Sequence, residues 1–482
     1  MANNQKPAAL LVAISGALLA AFSLVLAVQA SAQRTPQRQI QEPQVIHTSQ
    51  ETTATVYLPL VTRWYDPSYV SPFGIVMYGP VDNAAGLQHM KDAGSKWVTT
   101  MLYWSAIEPT EDSYDWSSFD VKAQNAQAAG MDLFVLFTNN PAWAAALPGG
   151  PVTGTQDLVE FVTLMAERYD CDGLDDAPGS PCVHYWSFYA EPDNGDIGRA
   201  YGGKGYWGHN GAGFAAMLTE VSPAIHRANP QARVLIGGLA YDWFEEEGGP
   251  FVRSFLTDTL SALNQYPGGA RAYIDAVAFH FYPITAQRWP TIREKALEVR
   301  GIMERHGVGN LPLICPEMGY WSASPSSEDQ QAQRLVQMYV RGLSVGLEHM
   351  SWFAVFDDGL GTEEHGLFWG RDLSHPKRSY YAYQTLTREL AWARYLRSLQ
   401  AANVEGYVFR MPNGREKTVL WATTSWATVP FPYPCLRLVD TDGDEYMPVV
   451  DGDANWDNDQ TRNGQVLLAV YQNTPFYVEP CP

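Results

Sequence analysis

Five cysteines in 482 residues are too few to build a disulfide-dense scaffold, and 17% charged beside 46% hydrophobic residues is not the balance of a disordered chain. Cations are scarce as well. Lysine and arginine number 32 against 52 acidic residues, a net charge of -20. The clustered positive charge that displaces counterions from a phosphate backbone is therefore missing, and nucleic acid is not an expected partner. The ten histidines show no His-Glu-x-x-His or similar ligand spacing, so no catalytic metal or other cofactor is implied. No Gly-rich phosphate turn follows the first strand-like run, which argues against an open doubly wound sheet, and no internal repeat is evident.

Aromatic residues, by contrast, are abundant. With 16 Trp and 26 Tyr they offer more flat, amphipathic surface than a core of this size uses, so a flat ligand is expected. Near the N-terminus, Ala8 to Val28 is apolar and uncharged, preceded by Lys6 and followed by Ala30-Ser31-Ala32, the pattern of a secretory signal over residues 1–32. At about 21 residues the stretch is also long enough to span a bilayer, so an uncleaved membrane anchor at the cell surface is the competing reading. Either way the rest of the chain is exported, to a compartment where cysteines pair. Cys171 and Cys182 close a short loop rich in Asp, Gly and Pro and are expected to form a disulfide. Cys435 and Cys481 can join the C-terminus to an internal strand, which leaves Cys315, in an apolar run, as a buried free thiol.

Residues 33–68 read as a flexible linker with one short strand-like run, Thr55 to Val61. From 69 to 395, eight apolar strand-like runs alternate with amphipathic helix-length segments. The runs are Gly74 to Tyr78, Trp97 to Leu102, Leu133 to Phe137, Tyr185 to Tyr189, Val234 to Leu239, Ala276 to Phe281, Leu313 to Pro316 and Ser351 to Phe356. That pattern predicts an α/β fold, a (β/α)8 TIM barrel. From 396 to 482 the runs become short and alternating, with the turn dipeptides Asn413-Gly414 and Asp442-Gly443, and predict a small antiparallel, sandwich-like β-domain.

In such a barrel the chemistry sits where strands end. The fourth run ends in Glu191-Pro192-Asp193, the sixth in His280-Phe281-Tyr282 and the seventh in Glu317-Met318-Gly319. Two carboxyl groups facing each other across a barrel are what glycosidic bond hydrolysis needs, one to protonate the leaving oxygen and one to attack or to activate water.

On these residues the chain resembles the retaining (β/α)8 glycoside hydrolases, the superfamily of the cellulase-like and β-xylosidase-like families. The stretches that carry the resemblance are Tyr185 to Asp193 and Leu313 to Gly319, supported by Trp104 to Pro109. The resemblance implies Glu191 as general acid/base and Glu317 as nucleophile, with Tyr282 beside the nucleophile and His280 on the substrate or the acid. It implies Trp352 as an aromatic platform beneath the sugar. Two positions depart from the family pattern: Ala190 stands where Asn usually precedes the acid/base, and Thr99 where an Arg orients the nucleophile. Asn139, Asn140 or Asn194 could take over the sugar 2-hydroxyl contact; otherwise the substrate differs at C2 or the barrel binds sugar without cleaving it.

Trp104, Trp143, Trp243, Trp289 and Trp321 each follow a strand end closely, where they would line a carbohydrate cleft. The aspartate-rich turns at Asp440 to Asp444 and Asp451 to Asn455 lack the Gly and Glu of a calcium loop and read as hairpin turns. The expected protein is thus a secreted, monomeric, retaining β-glycosidase whose partner is a polysaccharide or oligosaccharide, with the pKa of Glu191 raised relative to that of Glu317. A carbohydrate-binding barrel without catalysis is the alternative, as is a surface-anchored scaffold.

Overall fold

The computed structural model describes residues 70–195, 206–283, 288–322, 328–357 and 364–481. The expected signal or anchor and the linker with its strand lie outside the described residues. Eight parallel strands close into a barrel: β1 (Phe73–Val76), β2 (Trp97–Tyr103), β3 (Asp132–Thr138), β4 (Tyr185–Phe188), β5 (Arg233–Leu239), β6 (Ala276–Phe281), β7 (Leu313–Met318) and β8 (Met350–Trp352), with β1 paired to both β2 and β8. All eight overlap the expected runs, with β1 ending at Val76 and not Tyr78 and β8 at Trp352 and not Phe356. Each is apolar on both faces because both faces are covered. In β3, Phe134 and Leu136 turn into the barrel with Trp97, Leu235 and Ile314, whereas Leu133, Val135 and Phe137 pack under the helices.

A main helix follows each strand, α1 (Leu87–Asp92), α2 (Ser117–Ala129), α3 (Thr155–Arg168), α4 (Gly211–Ala228), α5 (Phe255–Leu263), α6 (Ile292–Arg305), α7 (Glu328–Ser344) and α8 (Arg378–Glu389), and a single helical turn, Trp104–Ile107, also follows β2. The alternation puts the C-terminal ends of all eight strands on one face. Inside the barrel, Thr99 of β2 donates to Ser351 Oγ (2.8 Å), which lies 3.0 Å from His349 Nε2. Burial pushes the His349 imidazole down to about 3, so this ring is neutral.

The C-terminal β-domain packs a six-stranded sheet against a two-stranded one. The large sheet runs β14 (Glu445–Val450), β13 (Cys435–Val439), β16 (Phe476–Pro480), β11 (Glu416–Ala422), β10 (Val404–Arg410) and β9 (Arg394–Ser398); the small one pairs β12 (Trp426–Phe431) with β15 (Val466–Tyr471). Leu420, Val429, Leu438, Val466 and Val478 fill the space between them. Asn413-Gly414 and Asp442-Gly443 form the hairpin turns between β10 and β11 and between β13 and β14, with Gly414 and Gly443 at positive φ. Three strands did not show in the sequence, and all three are edges. Pro430 in β12 and Pro448 in β14 interrupt the pattern, and a proline is tolerated in a sheet where no neighbour needs its missing N–H.

Cys171 bonds Cys182 and Cys435 bonds Cys481, with Cα atoms 5.0 and 5.4 Å apart, while Cys315 is free and buried. Replacing Cys171 and Cys182 together by serine is expected to lower the unfolding free energy by about 3 kcal/mol, the loop-closure entropy of so short a ring. Urea unfolding at neutral pH measures this, and an unchanged midpoint would refute it. Among the described residues no helix is long and apolar enough to cross a membrane.

Candidate active site

The site is built at the ends of β4, β6 and β7. Glu317 lies within β7, paired with His280 of β6. Glu191 follows β4 on a tight turn in which Tyr189 (φ 61°) and Glu191 (φ 49°) are both left-handed, a conformation that costs a non-glycine residue roughly 1–3 kcal/mol. Neighbouring strands hold that turn. Tyr189 N–H donates to Phe137 O (2.8 Å) and Glu191 N–H to Gly238 O (2.9 Å). The Tyr189 hydroxyl donates to Asn140 Oδ1 (2.9 Å). Asp193 accepts the N–H groups of Ala240 (3.0 Å) and Tyr241 (2.7 Å), which joins the turn to the end of β5. Burial pushes the Asp193 carboxyl up to about 7, against the pull of those two donors.

Gly237 and Gly238 on β5 make room for this arrangement. A Cβ on Gly238 would stand 1.9 Å from His280 Nε2, and one on Gly237 would stand 1.8 Å from Tyr189 O. His280 can therefore lie flat against β5 and aim its Nδ1 between the two carboxylates, 3.3 Å from Glu191 Oε1 and 3.8 Å from Glu317 Oε1. The sum of these two distances limits the Oε1–Oε1 separation to about 7 Å.

The two carboxylates differ in depth. The Glu191 side chain is 29% exposed and that of Glu317 is 13%. Burial pushes the Glu317 carboxyl up to about 8. Two phenols act in the opposite sense, because each donates to the ionised form: Tyr282 to Oε1 (2.5 Å) and Tyr78, from the loop after β1, to Oε2. Sequence reasoning expected the elevation on Glu191; the structure puts one on Glu317, the deeper of the pair.

The model of the glycoside hydrolase family 42 β-galactosidases matches residues 83–148. No curated protein is significantly similar in sequence. Among solved structures, a family 39 glycoside hydrolase from the gut symbiont Bacteroides cellulosilyticus is 19% identical at a TM-score of 0.62, over 85% of this chain and 81% of that one. A family 30 endoxylanase from Clostridium papyrosolvens is 11% identical at 0.58, over 86% and 97%. A family 39 β-xylosidase from Caulobacter crescentus is 15% identical at 0.56, over 85% and 96%. The chain has the (β/α)8-barrel fold of these structures.

At the C-terminal end of this barrel, Glu191, Glu317, His280 and Tyr282 come together. Trp321 joins them at the rim. Its ring stacks on Tyr320 (4.9 Å) and meets the edge of His365 (6.3 Å), which itself packs on Tyr282 (5.4 Å). Trp352 is fully buried, with its indole N–H on His365 O (3.0 Å). The next residue, Phe353, packs on both Tyr78 (5.8 Å) and Tyr282 (6.0 Å), the two phenols that donate to Glu317. Trp104 is also fully buried, donating to Glu108 Oε2 (2.7 Å), and Trp143 donates to Glu108 O (3.2 Å), so Glu108 binds these rings into a packing unit. Asn139 donates to Ser105 Oγ (2.7 Å), while the side chain of Asn140 is engaged by Tyr189 and Gly150 O.

Tyr78 and Phe353 were missed as functional residues. Tyr78 closes the first strand-like run, so attention to every strand end, not only those with charge, would have found it. Among the described residues, the group spaced to hold a metal ion is Asp170, Asp172 and Asp176. It lies in the loop between α3 and β4, on the face opposite the carboxylates.

Proposed function

We propose that this chain is a secreted retaining glycoside hydrolase that cleaves β-glycosidic bonds in a polysaccharide or oligosaccharide. The observation that carries the reading is the pair Glu191 and Glu317 on either side of His280 Nδ1, within about 7 Å of each other. Retaining pairs stand ~5–5.5 Å apart and inverting pairs ~6.5–9.5 Å, so the bound leaves little of the inverting range. In the first step Glu317 attacks the anomeric carbon while Glu191 gives its proton to the leaving oxygen; in the second Glu191 takes a proton from water, which releases the sugar from Glu317. Phe353, Tyr282 and Trp321 offer aromatic faces to the ring's C–H surface. Support for a β linkage comes from similarity to proteins described as a β-galactosidase family and a β-xylosidase. Support for secretion comes from the two disulfides, which fit an oxidising compartment.

A second reading rests on the two departures. Ala190 brings no hydrogen-bonding side chain to the site and Thr99 has its hydroxyl on Ser351, so a barrel that binds sugar without cleaving it is the competing function. Incubation of the protein with a panel of β-linked polysaccharides and aryl glycosides, beside Glu191→Ala and Glu317→Ala, decides between them. Cleavage lost in both variants supports the enzyme; Trp fluorescence quenched by a glycan without cleavage supports the binder. Because Glu317 must be ionised to attack while Glu191 is protonated to donate, kcat/KM is expected to be bell-shaped in pH, with the raised pKa of Glu317, about 8, setting one of its two limbs.

A further inference from the structure

Glu317 has no Lys or Arg within ion-pair distance among the described residues; His280 Nδ1 stands 3.8 Å from its Oε1. The groups that face it are few. Tyr282 and His280 come from β6 and its end, Glu191 meets the same His280 nitrogen from β4, and the Cys315 thiol lies on the main-chain oxygen of Glu317 (3.4 Å). The remaining one is Tyr78, two residues past the end of β1, which reaches beyond β8 to place its hydroxyl on Glu317 Oε2.

What fixes Tyr78 is a lysine. Lys122 of α2 brings its ammonium to Tyr78 O (3.3 Å), Thr100 Oγ1 (3.2 Å) and Met101 O (3.2 Å), which uses all three donors on the ends of β1 and β2. Among the described residues it forms no salt bridge, and burial pushes its pKa down to about 8. A cation placed in such surroundings is unfavourable unless its position matters. Its position ties the Tyr78 carbonyl to the neighbouring strand, while Phe353 packs on the Tyr78 ring from the other side.

We propose that Tyr78 orients Glu317 and keeps it ionised, and that Lys122 acts through Tyr78 by holding its main chain in place. Both are positioning residues, and the inference rests on the reading of Glu317 as nucleophile.

Tyr78→Phe keeps the ring and deletes the donor. Losing one hydrogen bond to a carboxylate is expected to move the limb of kcat/KM set by Glu317 alkaline by about one pH unit or more, and to lower kcat roughly 10-fold or more with little change in KM. Lys122→Met is expected to move the limb the same way by less. A limb that stays in place in Tyr78→Phe overturns the proposal. A second readout needs no activity. The stability difference between a protein and its Glu317→Gln counterpart grows with pH and levels off at the folded-state pKa of Glu317. In Tyr78→Phe that levelling-off is expected to move alkaline by the same amount, and an unmoved one overturns the proposal. If the wild type cleaves no sugar, the enzymatic reading has failed, and this window alone decides for or against Tyr78.

Discussion

Glu317→Gln is expected to lower cleavage by roughly 10³-fold or more while making the fold more stable above neutral pH. The two effects share one cause. Glu317 lies deep enough that burial raises its pKa from an ordinary 4.5 to about 8, so the folded protein holds this proton more tightly than the unfolded chain does. As pH rises past the unfolded value, ionisation costs the folded state roughly 1.4 kcal/mol for each unit by which the pKa is raised, and the cost is complete above the folded value. Glutamine has the same shape and no such cost. It still accepts a phenol proton through its carbonyl oxygen, but it cannot form the glycosyl ester. Thermal unfolding should therefore give equal midpoints for variant and wild type at about pH 4 and a higher midpoint for the variant at about pH 9, following this linkage. A variant less stable than wild type at both pH values would show that the Tyr78 and Tyr282 hydrogen bonds, not desolvation, dominate the site. Stability gained by removing a reacting charge is the usual trade-off of a functional site.

The barrel and most of the candidate site are legible because the strands are abrupt. β4, β6 and β7 are apolar runs that end in Glu191, His280 and Glu317, and a carboxylate or imidazole at such an end has no packing role to explain it. Side-chain direction is less legible. Trp352 and Phe353 are neighbours near the end of β8, where successive side chains point to opposite sides, and the sequence does not say which ring faces the sugar. The structure turns Trp352 into the core and Phe353 towards Tyr78 and Tyr282. Trp104 misled for a related reason. It follows β2 closely, as a cleft residue would, but Glu108 four residues later accepts its N–H and makes it core. Tyr78 shows only its place at the end of a strand-like run, where an uncharged tyrosine also reads as one more β-former, and its partner lies 239 positions away.

Glu389→Ala is expected to destabilise the protein by about 3–5 kcal/mol, the largest structural effect of a single residue outside the site. Glu389 ends α8 of the barrel and is 3% exposed, yet it meets two cations from the β-domain. Arg437 of β13 grips it with both nitrogens, Nη1 on Oε2 (2.9 Å) and Nη2 on Oε1 (3.1 Å), and Lys417 of β11 adds Nζ on Oε2 (2.5 Å). Burial works against the charge, but the two cations more than offset it and hold the carboxyl at about 2. Truncation would leave the buried Lys417 without its closest carboxylate, with Glu479 at 3.6 Å a poorer partner. The folded pKa here is depressed, the opposite sign to Glu317, so this contribution is fully present above the unfolded carboxylate value and is lost as pH falls through about 2. Urea unfolding of Glu389→Gln against wild type should show a gap that narrows below about 4.5 and closes only near 2, whereas a glutamate with one pKa in both states would give a gap independent of pH. A gap already closed at about pH 4 would mean that the Arg437 and Lys417 contacts are not maintained in solution and that Arg341 on Glu405 is left as the buried ion pair between the barrel and the β-domain.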